Sequence, residues 1–229
     1  MRIIFCIALL FTNLAYSNST QVLLEAKINL NNKDSLRNGF RAFMQHCIGC
    51  HSTKLQRYSR IMKDLEIDDL SKYNKYAKKN NIVESSIDIE AAEVWFGVTP
   101  PDLTLTAKYR SKDWIYSYLK SFYEDTSRPL GVNNLVYPNT AMPNILENIE
   151  GIKTVQKRQG NSYLFKKNEG SKSNDEFEIL ITDITNFLVY SSEPIQIKRR
   201  SIGKYVLLFL TIFTILAWML KKEYWKDIK

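Results

Sequence analysis

Apolar side chains recur at helical spacing in three stretches of this chain. The first begins after Ser35, a plausible helix N-cap, the second follows Arg110, and the third runs from about Asp175 to Ser191. The apolar positions are Leu36, Phe40, Phe43, Met44 and Cys47, then Trp114, Ile115, Tyr118, Leu119 and Phe122, then Phe177, Leu180, Ile181, Ile184, Phe187 and Leu188. This spacing predicts a mostly α domain in which the third helix packs across the first.

Glycine and proline mark the breaks in this helical pattern. Gly39 interrupts the first helix at some cost in stability; it is either tolerated on the surface or lets another helix pack closely, and we favour close packing. Prolines keep residues 97–103 and 137–143 out of helices. The polar segment 152–173 is predicted to be an exposed hairpin.

A fourth apolar stretch predicts a single membrane span near the C-terminus. Residues 202–220 are 19 in number, enough to cross a bilayer core of ~30 Å at ~1.5 Å per residue. Lys204 lies so near one end that its amine can reach water. Tyr205, Trp218 and Tyr224 suit the membrane interfaces. Residues 221–229 would then form a short tail on the other side of the membrane.

The first 17 residues have the order of a secretory signal peptide. Arg2 precedes an apolar core, and the small residues Ala15 and Ser17 are placed for cleavage. An uncleaved anchor is the alternative, although the apolar core is short for a membrane helix. With either reading, the domain at residues 18–197 is exported, so we expect a membrane-anchored protein whose main domain lies outside the cytoplasm.

The formal charge of +8 is concentrated beside the predicted span. The excess basic residues are Lys198, Arg199, Arg200, Lys204, Lys221, Lys222, Lys226 and Lys229, whereas residues 18–197 are nearly balanced. Clusters that flank an apolar run are typical of membrane borders. The charge therefore does not indicate a nucleic-acid partner.

Acidic residues form two further runs. The first contains Asp64, Glu66, Asp68 and Asp69, and the second contains Asp88 and the glutamates around it. Such runs are usually solvated surface. A docking surface for a basic electron-transfer partner is the alternative.

The chemistry of the chain centres on Cys47-Ile48-Gly49-Cys50-His51. Cys-x-x-Cys-His is the attachment motif of c-type haem, in which two thiols form thioethers and the histidine supplies the proximal iron ligand. A zinc site would need more ligands, yet the other cysteine, Cys6, lies in the leader. A redox disulfide would leave His51 unexplained. The motif predicts one covalently attached haem c.

Elimination points to Met142 as the sixth iron ligand. His46 is too close to the motif to reach the other face of the haem, so a methionine is needed. Met1 leaves with the leader and Met219 lies in the span, while Met44 belongs to the helix that delivers the motif. Met62 follows the motif closely, in a polar stretch that offers little to fix it. Met142 is far along the chain, in a loop stiffened by prolines.

The order of the motifs resembles the cytochrome c1 family of the quinol:cytochrome c reductase, or cytochrome bc1 complex. The strings are Arg37-Asn38-Gly39 before the motif and Ser52 after it; Pro100-Pro101-Asp102-Leu103 with Arg110; Asp113-Trp114-Ile115-Tyr116-Ser117-Tyr118-Leu119; Asn139-Thr140-Ala141-Met142-Pro143-Asn144; and Lys221-Lys222-Glu223-Tyr224-Trp225-Lys226. The match departs at Asn144, where many relatives have histidine, and at Lys108, where many have arginine. Neither position is an iron ligand.

The resemblance implies a class I cytochrome c-like haem domain on one C-terminal transmembrane helix. It makes Met142 the distal ligand, Arg110 a haem-propionate partner and Pro101 part of the haem edge. It implies electron transfer from the Rieske iron–sulfur protein to a soluble or tethered cytochrome c, beside cytochrome b, without bond-making chemistry in this subunit. The alternatives are another membrane-tethered monohaem cytochrome, such as an oxidase or nitrite-reductase subunit, and a thiol oxidoreductase.

Overall fold

The structure, a computed structural model, describes residues 23–73, 75, 77–159 and 162–226, so the predicted leader at 1–17 lies outside it. The helices are α1 Lys33–His46, α2 Tyr58–Leu65, α3 Ile89–Phe96, α4 Thr106–Tyr109, α5 Lys112–Lys120, α6 Glu147–Glu150, α7 Asn174–Ser192 and α8 Gln196–Tyr224. The antiparallel strand pairs are β1 Thr53–Arg57 with β2 Ile82–Val83, β3 Phe122–Glu124 with β4 Val132–Asn134, and β5 Lys153–Gln159 with β6 Ser162–Lys167. The predicted mostly α fold class is confirmed.

Helices α1 and α7 pack against each other and form the centre of the core. Phe40 and Phe43 on α1 are fully buried, with ring centroids 5.4 and 5.5 Å from that of Phe187 on α7. Each fully buried phenylalanine contributes about 1.5–3 kcal/mol relative to an exposed one. The predicted packing of the third helix across the first is therefore confirmed.

Gly39 lies where the two helices approach most closely. A Cβ atom added to Gly39 would stand 1.9 Å from the carbonyl oxygen of Asp183 and 2.8 Å from Cβ of Phe187. Both distances are far below van der Waals contact, and the nearer atom belongs to the backbone of α7. Close packing of another helix, rather than surface tolerance, explains the glycine.

We therefore expect Gly39→Ala to destabilise the haem domain by at least the ~1–3 kcal/mol typical of overpacked cores, because α1 and α7 must move apart. Denaturant unfolding followed by circular dichroism measures the loss. Gly203→Ala on α8 is the matched control, since an added Cβ there has no atom within 4 Å. Equal stability of the two variants would contradict the packing argument.

The prediction that Ser35 caps α1 is wrong. Asn32 is the N-cap, and its side chain accepts a hydrogen bond from the backbone nitrogen of Ser35 at 3.1 Å. The Ser35 hydroxyl instead donates to the carboxylate of Asp183 at 2.5 Å and accepts from Asn186 at 3.0 Å. Asparagine and serine cap about equally well, so bonds to α7 decide which residue takes the role.

The second of the three predicted helices ends earlier than the apolar spacing indicates. The second helix, α5, ends at Lys120, so the inclusion of Phe122 is wrong; Phe122 begins β3 and pairs with Asn134. The side-chain nitrogen of Asn134 donates to the carbonyl of Tyr118 at 2.8 Å and satisfies the helix end. By contrast, the hairpin predicted within residues 152–173 is confirmed by β5 and β6.

The stretch after the haem motif is more ordered than its polarity suggests. It forms β1 and α2, and Tyr58, Ile61 and Leu65 on α2 are buried. Within the part of the chain that the structure describes, three of its four acidic residues, all except Asp68, have structural partners. Asp64 accepts from Arg60 and from the Tyr190 hydroxyl. Glu66 pairs with Lys33, and Asp69 caps the 3₁₀ turn Leu70–Lys72. These contacts favour a structural role for the run over a docking surface.

Helix α8 contains the predicted span. It has 29 residues, none of them buried, and is long and apolar enough to cross a membrane. Pro194 separates it from α7, as the sequence predicts. Residues 202–220 lie well inside the helix, which leaves its first turns to connect the predicted span to α7.

Glu193 joins α8 to the domain that carries the Cys-x-x-Cys-His motif. Its carboxylate pairs with Lys108 on α4 and with Arg199 in the first turns of α8. These hydrogen bonds, from Arg199 first and then from Lys108, lower the pKa of Glu193 to about 2. The carboxylate therefore stays ionised at neutral or moderately acidic pH.

Candidate haem site

The Cys-x-x-Cys-His motif forms a tight turn directly after α1. Cys47 is the C-cap of the helix, and its backbone nitrogen donates to Phe43 at 2.8 Å. The backbone nitrogens of Cys50 and His51 both donate to the carbonyl of Cys47, at 3.1 and 2.8 Å. Helix α1, held by its packing against α7, thereby fixes both cysteines and the histidine in one short segment.

His51 is held in the tautomer that an iron ligand needs. Its Nδ1 lies 2.8 Å from the carbonyl oxygen of Pro101, and because a carbonyl only accepts, Nδ1 must carry the hydrogen. Burial lowers the pKa of His51, and this outweighs the opposing effect of the Pro101 hydrogen bond. The imidazole is therefore neutral, with the lone pair of Nε2 free to bind a metal.

The Pro101 carbonyl is itself positioned by bonds to the strand after the motif. The backbone nitrogen of Leu103 donates to Ser52 at 2.8 Å. The carboxylate of Asp102 accepts from the backbone nitrogens of Lys54 at 2.7 Å and Thr104 at 2.8 Å. Asp102 thus supports the histidine through Pro101, a role that sequence reasoning missed. The predicted place of Pro101 at the haem edge remains a prediction.

Met142 lies in a loop that is fixed by two buried asparagines on β4. The Asn134 side-chain oxygen accepts from the backbone nitrogens of Val136 and Tyr137, at 2.9 and 3.1 Å. The side-chain oxygen of Asn133 accepts from the backbone nitrogen of Asn139 at 2.8 Å. Asn134 is 1% exposed and Asn133 is 8% exposed, so these hydrogen bonds are shielded from water. They hold the loop in addition to the prolines that the sequence analysis considered.

Thr140 links the Met142 loop to α5. Its hydroxyl lies 2.8 Å from the Tyr118 hydroxyl and accepts from the backbone nitrogen of Met142 at 3.3 Å. Burial raises the pKa of Tyr118 to about 12, more than the Thr140 hydrogen bond lowers it, so the phenol stays protonated. The ring of Tyr118 stacks on Trp114, with centroids 4.9 Å apart.

Arg110 packs against aromatic residues in the same region. Its guanidinium lies 4.9 Å from the ring centroid of Tyr109, 5.1 Å from that of Trp114 and 5.8 Å from that of Tyr137. These cation–π contacts orient the group. Within the described part of the chain, Arg110 forms no ion pair with a carboxylate. The guanidinium is thus available to an anionic group, although the propionate contact itself remains a prediction.

The rival chemistries fit these residues poorly. Burial raises the pKa of the Cys47 thiol to about 12, and the neighbouring Cys50 adds to the shift. A thiol oxidoreductase needs a readily formed thiolate, which this environment disfavours. In the described ranges, no group of three or more His, Cys, Asp or Glu side chains could hold a metal ion, so a zinc site lacks its ligands.

The residues fit haem c well. Two cysteines and a neutral histidine lie in one turn, the histidine is oriented by a backbone carbonyl, and a methionine lies in a loop fixed by buried side chains. Together with an apolar helix long enough to cross a membrane, they define the class: a c-type cytochrome with one candidate membrane anchor. Comparison with known proteins narrows that class.

The sequence profile of the Cytochrome C1 family matches residues 86–228. Cytochrome c1 of Allochromatium vinosum is 42% identical, over an alignment that covers 95% of this chain and 94% of that protein. The ammonia monooxygenase gamma subunit of Nitrosomonas europaea is 36% identical, covering 93% of this chain and 92% of that one. The chain belongs to the cytochrome c1 family, and it carries one covalently attached haem c.

Among solved structures, a chain of a "Hyperthermophilic respiratory Complex III" aligns with 100% of this chain and 98% of its own length, at 15% identity and a TM-score of 0.49. The predicted family is confirmed by the sequence comparisons alone.

Proposed function

We propose that this protein accepts single electrons from a Rieske iron–sulfur protein and passes them to a soluble or tethered cytochrome c. It does so within a quinol:cytochrome c reductase that also contains cytochrome b. The observation that carries the proposal is the 42% identity to a bacterial cytochrome c1 along almost the whole chain. Another membrane-tethered cytochrome is not favoured, because the family match spans the strings that begin at Pro100 and Asp113.

The residues divide the work between attachment, ligation and orientation. Cys47 and Cys50 would hold the haem through thioethers, His51 would be the proximal ligand and Met142 the distal one. When bound, the haem supplies a one-electron couple, and imidazole and thioether ligands favour its ferrous state. The Pro101 carbonyl keeps the His51 ring in one orientation. If His51 and Met142 both bind the iron, no coordination position would remain open for a substrate.

Arg110 has a supporting part in this proposal. Ring contacts with Trp114 and Tyr137 hold its guanidinium beside the Met142 loop. A propionate paired with that guanidinium would be oriented by the same side chains that position the loop. Pro101 would line the haem edge from the proximal segment.

Co-purification tests the proposal. Affinity capture of the full chain from detergent-solubilised membranes should retain cytochrome b and a Rieske protein, and the haem of the captured complex should be reduced by added quinol. Capture of the Cys47→Ala/Cys50→Ala variant provides the control for electron transfer, because it lacks the attachment residues. Retention of oxidase or nitrite-reductase subunits in place of cytochrome b would contradict the proposal.

The proposed topology places the haem domain in the periplasm of a bacterium and the tail in its cytoplasm. Residues 1–17 would be cleaved, 18–197 exported, 202–220 embedded in the inner membrane and 221–229 cytoplasmic. Basic clusters flank both ends of the span, so they do not decide its direction; the leader and the haem do, because c-type haem is attached outside the cytoplasm in bacteria.

We expect protease added to intact spheroplasts to remove the haem domain and spare an epitope after Lys229. Immunoblots for the epitope report whether the tail survives, and haem staining of the same gel reports whether the haem domain survives. Detergent-permeabilised cells, in which both are digested, are the control. A haem domain that resists digestion until permeabilisation would reverse the orientation.

A further inference from the structure

A groove of about 830 Å³ lies where α8 leaves the haem domain. It is bounded by the start of α1, by α2, by the end of α7 and by the first turns of α8. This position places it directly above the segment 202–220 that is proposed to enter the membrane. The groove is separate from the haem site: none of the six predicted site residues lines it.

The charge available in the groove is positive. Lys63 on α2 and Lys198 on α8 line it, are exposed, and have no carboxylate partner within the described residues. Its two carboxylates are already engaged, Asp64 by Arg60 and the Tyr190 hydroxyl, and Glu193 by the bridges to Lys108 and Arg199. An anion entering the groove would therefore meet two free ammonium groups and neutralised acids.

The groove also has apolar walls that continue toward the membrane. Leu36 and Leu65 form part of its buried side, while Ile195 and Ile197 are 52% and 45% exposed at its α8 side. Beyond them the surface of α8 is apolar. A ligand suited to this arrangement is anionic at one end and aliphatic at the other, which is the chemistry of an anionic phospholipid.

We propose that the groove binds the headgroup of an anionic phospholipid. Lys63 and Lys198 would pair with the phosphate from opposite sides, Ser201 would offer its hydroxyl, and an acyl chain would lie along Ile197 and the apolar surface of α8. The proposal rests on the membrane anchoring that forms part of the proposed function. A protein segment is a poorer occupant, because the groove runs onto a face of α8 suited to lipid tails.

Native mass spectrometry of the full-length holoprotein in detergent tests this directly, with phosphatidylglycerol and phosphatidylcholine of identical acyl chains as probes. We expect preferential retention of phosphatidylglycerol. Each lysine near an anionic lipid surface is worth about fivefold in affinity, so Lys63→Gln/Lys198→Gln should lower that retention by about 25-fold. The matched control is Lys72→Gln/Lys172→Gln, which removes the same charge outside the groove and away from the predicted span, and should change retention less than twofold.

Three outcomes would overturn the proposal. The first is equal retention of the two lipids, and the second is an equal loss of phosphatidylglycerol retention in both double variants. The third is displacement of phosphatidylglycerol by millimolar inorganic phosphate, which would indicate a site for free anions. A fourth is loss of a protein subunit, in place of lipid, when the groove variants are purified as the intact complex. The haem spectrum and cytochrome b content of the same samples report on the proposed function, so failure of lipid binding is distinguishable from failure of electron transfer.

Discussion

Met142→Leu is expected to retain covalent haem but to lose the weak long-wavelength sulfur-to-iron charge-transfer band. Its midpoint potential should fall by at least about 0.1 V, within the ~0.8 V range that axial ligands set, because water or an amine would replace the thioether. The loop should keep its shape in the variant. Its bonds run through Asn133, Asn134 and Thr140, and the Met142 backbone nitrogen is unaltered by the substitution. Redox titration with optical detection measures both effects.

Met62→Leu is the matched control for that experiment. Met62 lies on α2, partly buried against the core, so the substitution keeps its volume and removes only the sulfur. We expect its spectrum and potential to match those of the wild type. Survival of the band in Met142→Leu together with its loss in Met62→Leu would reverse the ligand assignment.

Cys47→Ala/Cys50→Ala is expected to abolish covalent haem attachment, since no other cysteine follows the predicted leader. Each single variant should retain one thioether at most and accumulate poorly. Haem staining after denaturing electrophoresis measures attachment. Cys6→Ala serves as the control and should stain as the wild type does, because its cysteine lies in the leader. Staining that persists in the double variant would refute the attachment assignment.

The parts of the fold that the sequence predicted are those with local signals. The stripe from Leu36 to Cys47 and the one from Phe177 to Leu188 each repeat at helical spacing, and both form the core helices. At Gly39 the sequence left two interpretations, surface tolerance and close packing, and only the position of Asp183 on α7 decides between them. The apolar run at 202–220 was recognisable from length alone.

Helix α2 shows where that reasoning failed. Tyr58, Ile61 and Leu65 have the spacing of one helical face, yet the lysines and acids between them make the whole stretch look like a solvated linker. A search for spacing, without regard to average polarity, would have found it. The cap of α1 is different in kind: Asn32 and Ser35 are equally suitable, and only the contact between Ser35 and Asp183 separates them.

The candidate haem site shows the same contrast between local sequence signals and contacts from distant parts of the chain. A five-residue motif is enough to predict Cys47, Cys50 and His51 as the haem-attachment residues and proximal ligand. The groups that position them come from far along the chain: the Pro101 carbonyl is 50 residues from His51. Asn133 and Asn134 act through bonds to a loop whose course is set by β3 and β4, and no local pattern marks such residues as functional.

Glu193 connects the haem domain to α8 through two ion pairs, one with Lys108 and one with Arg199. A carboxylate with a depressed pKa contributes its stabilisation above the pKa of the unfolded chain, near 4.5, and loses it only as the pH falls through the folded value of about 2. Glu193 thus keeps its charge in mildly acidic conditions. Where α8 spans the membrane as proposed, these two ion pairs would hold the haem domain against the start of the span and limit its rotation about the link at Pro194.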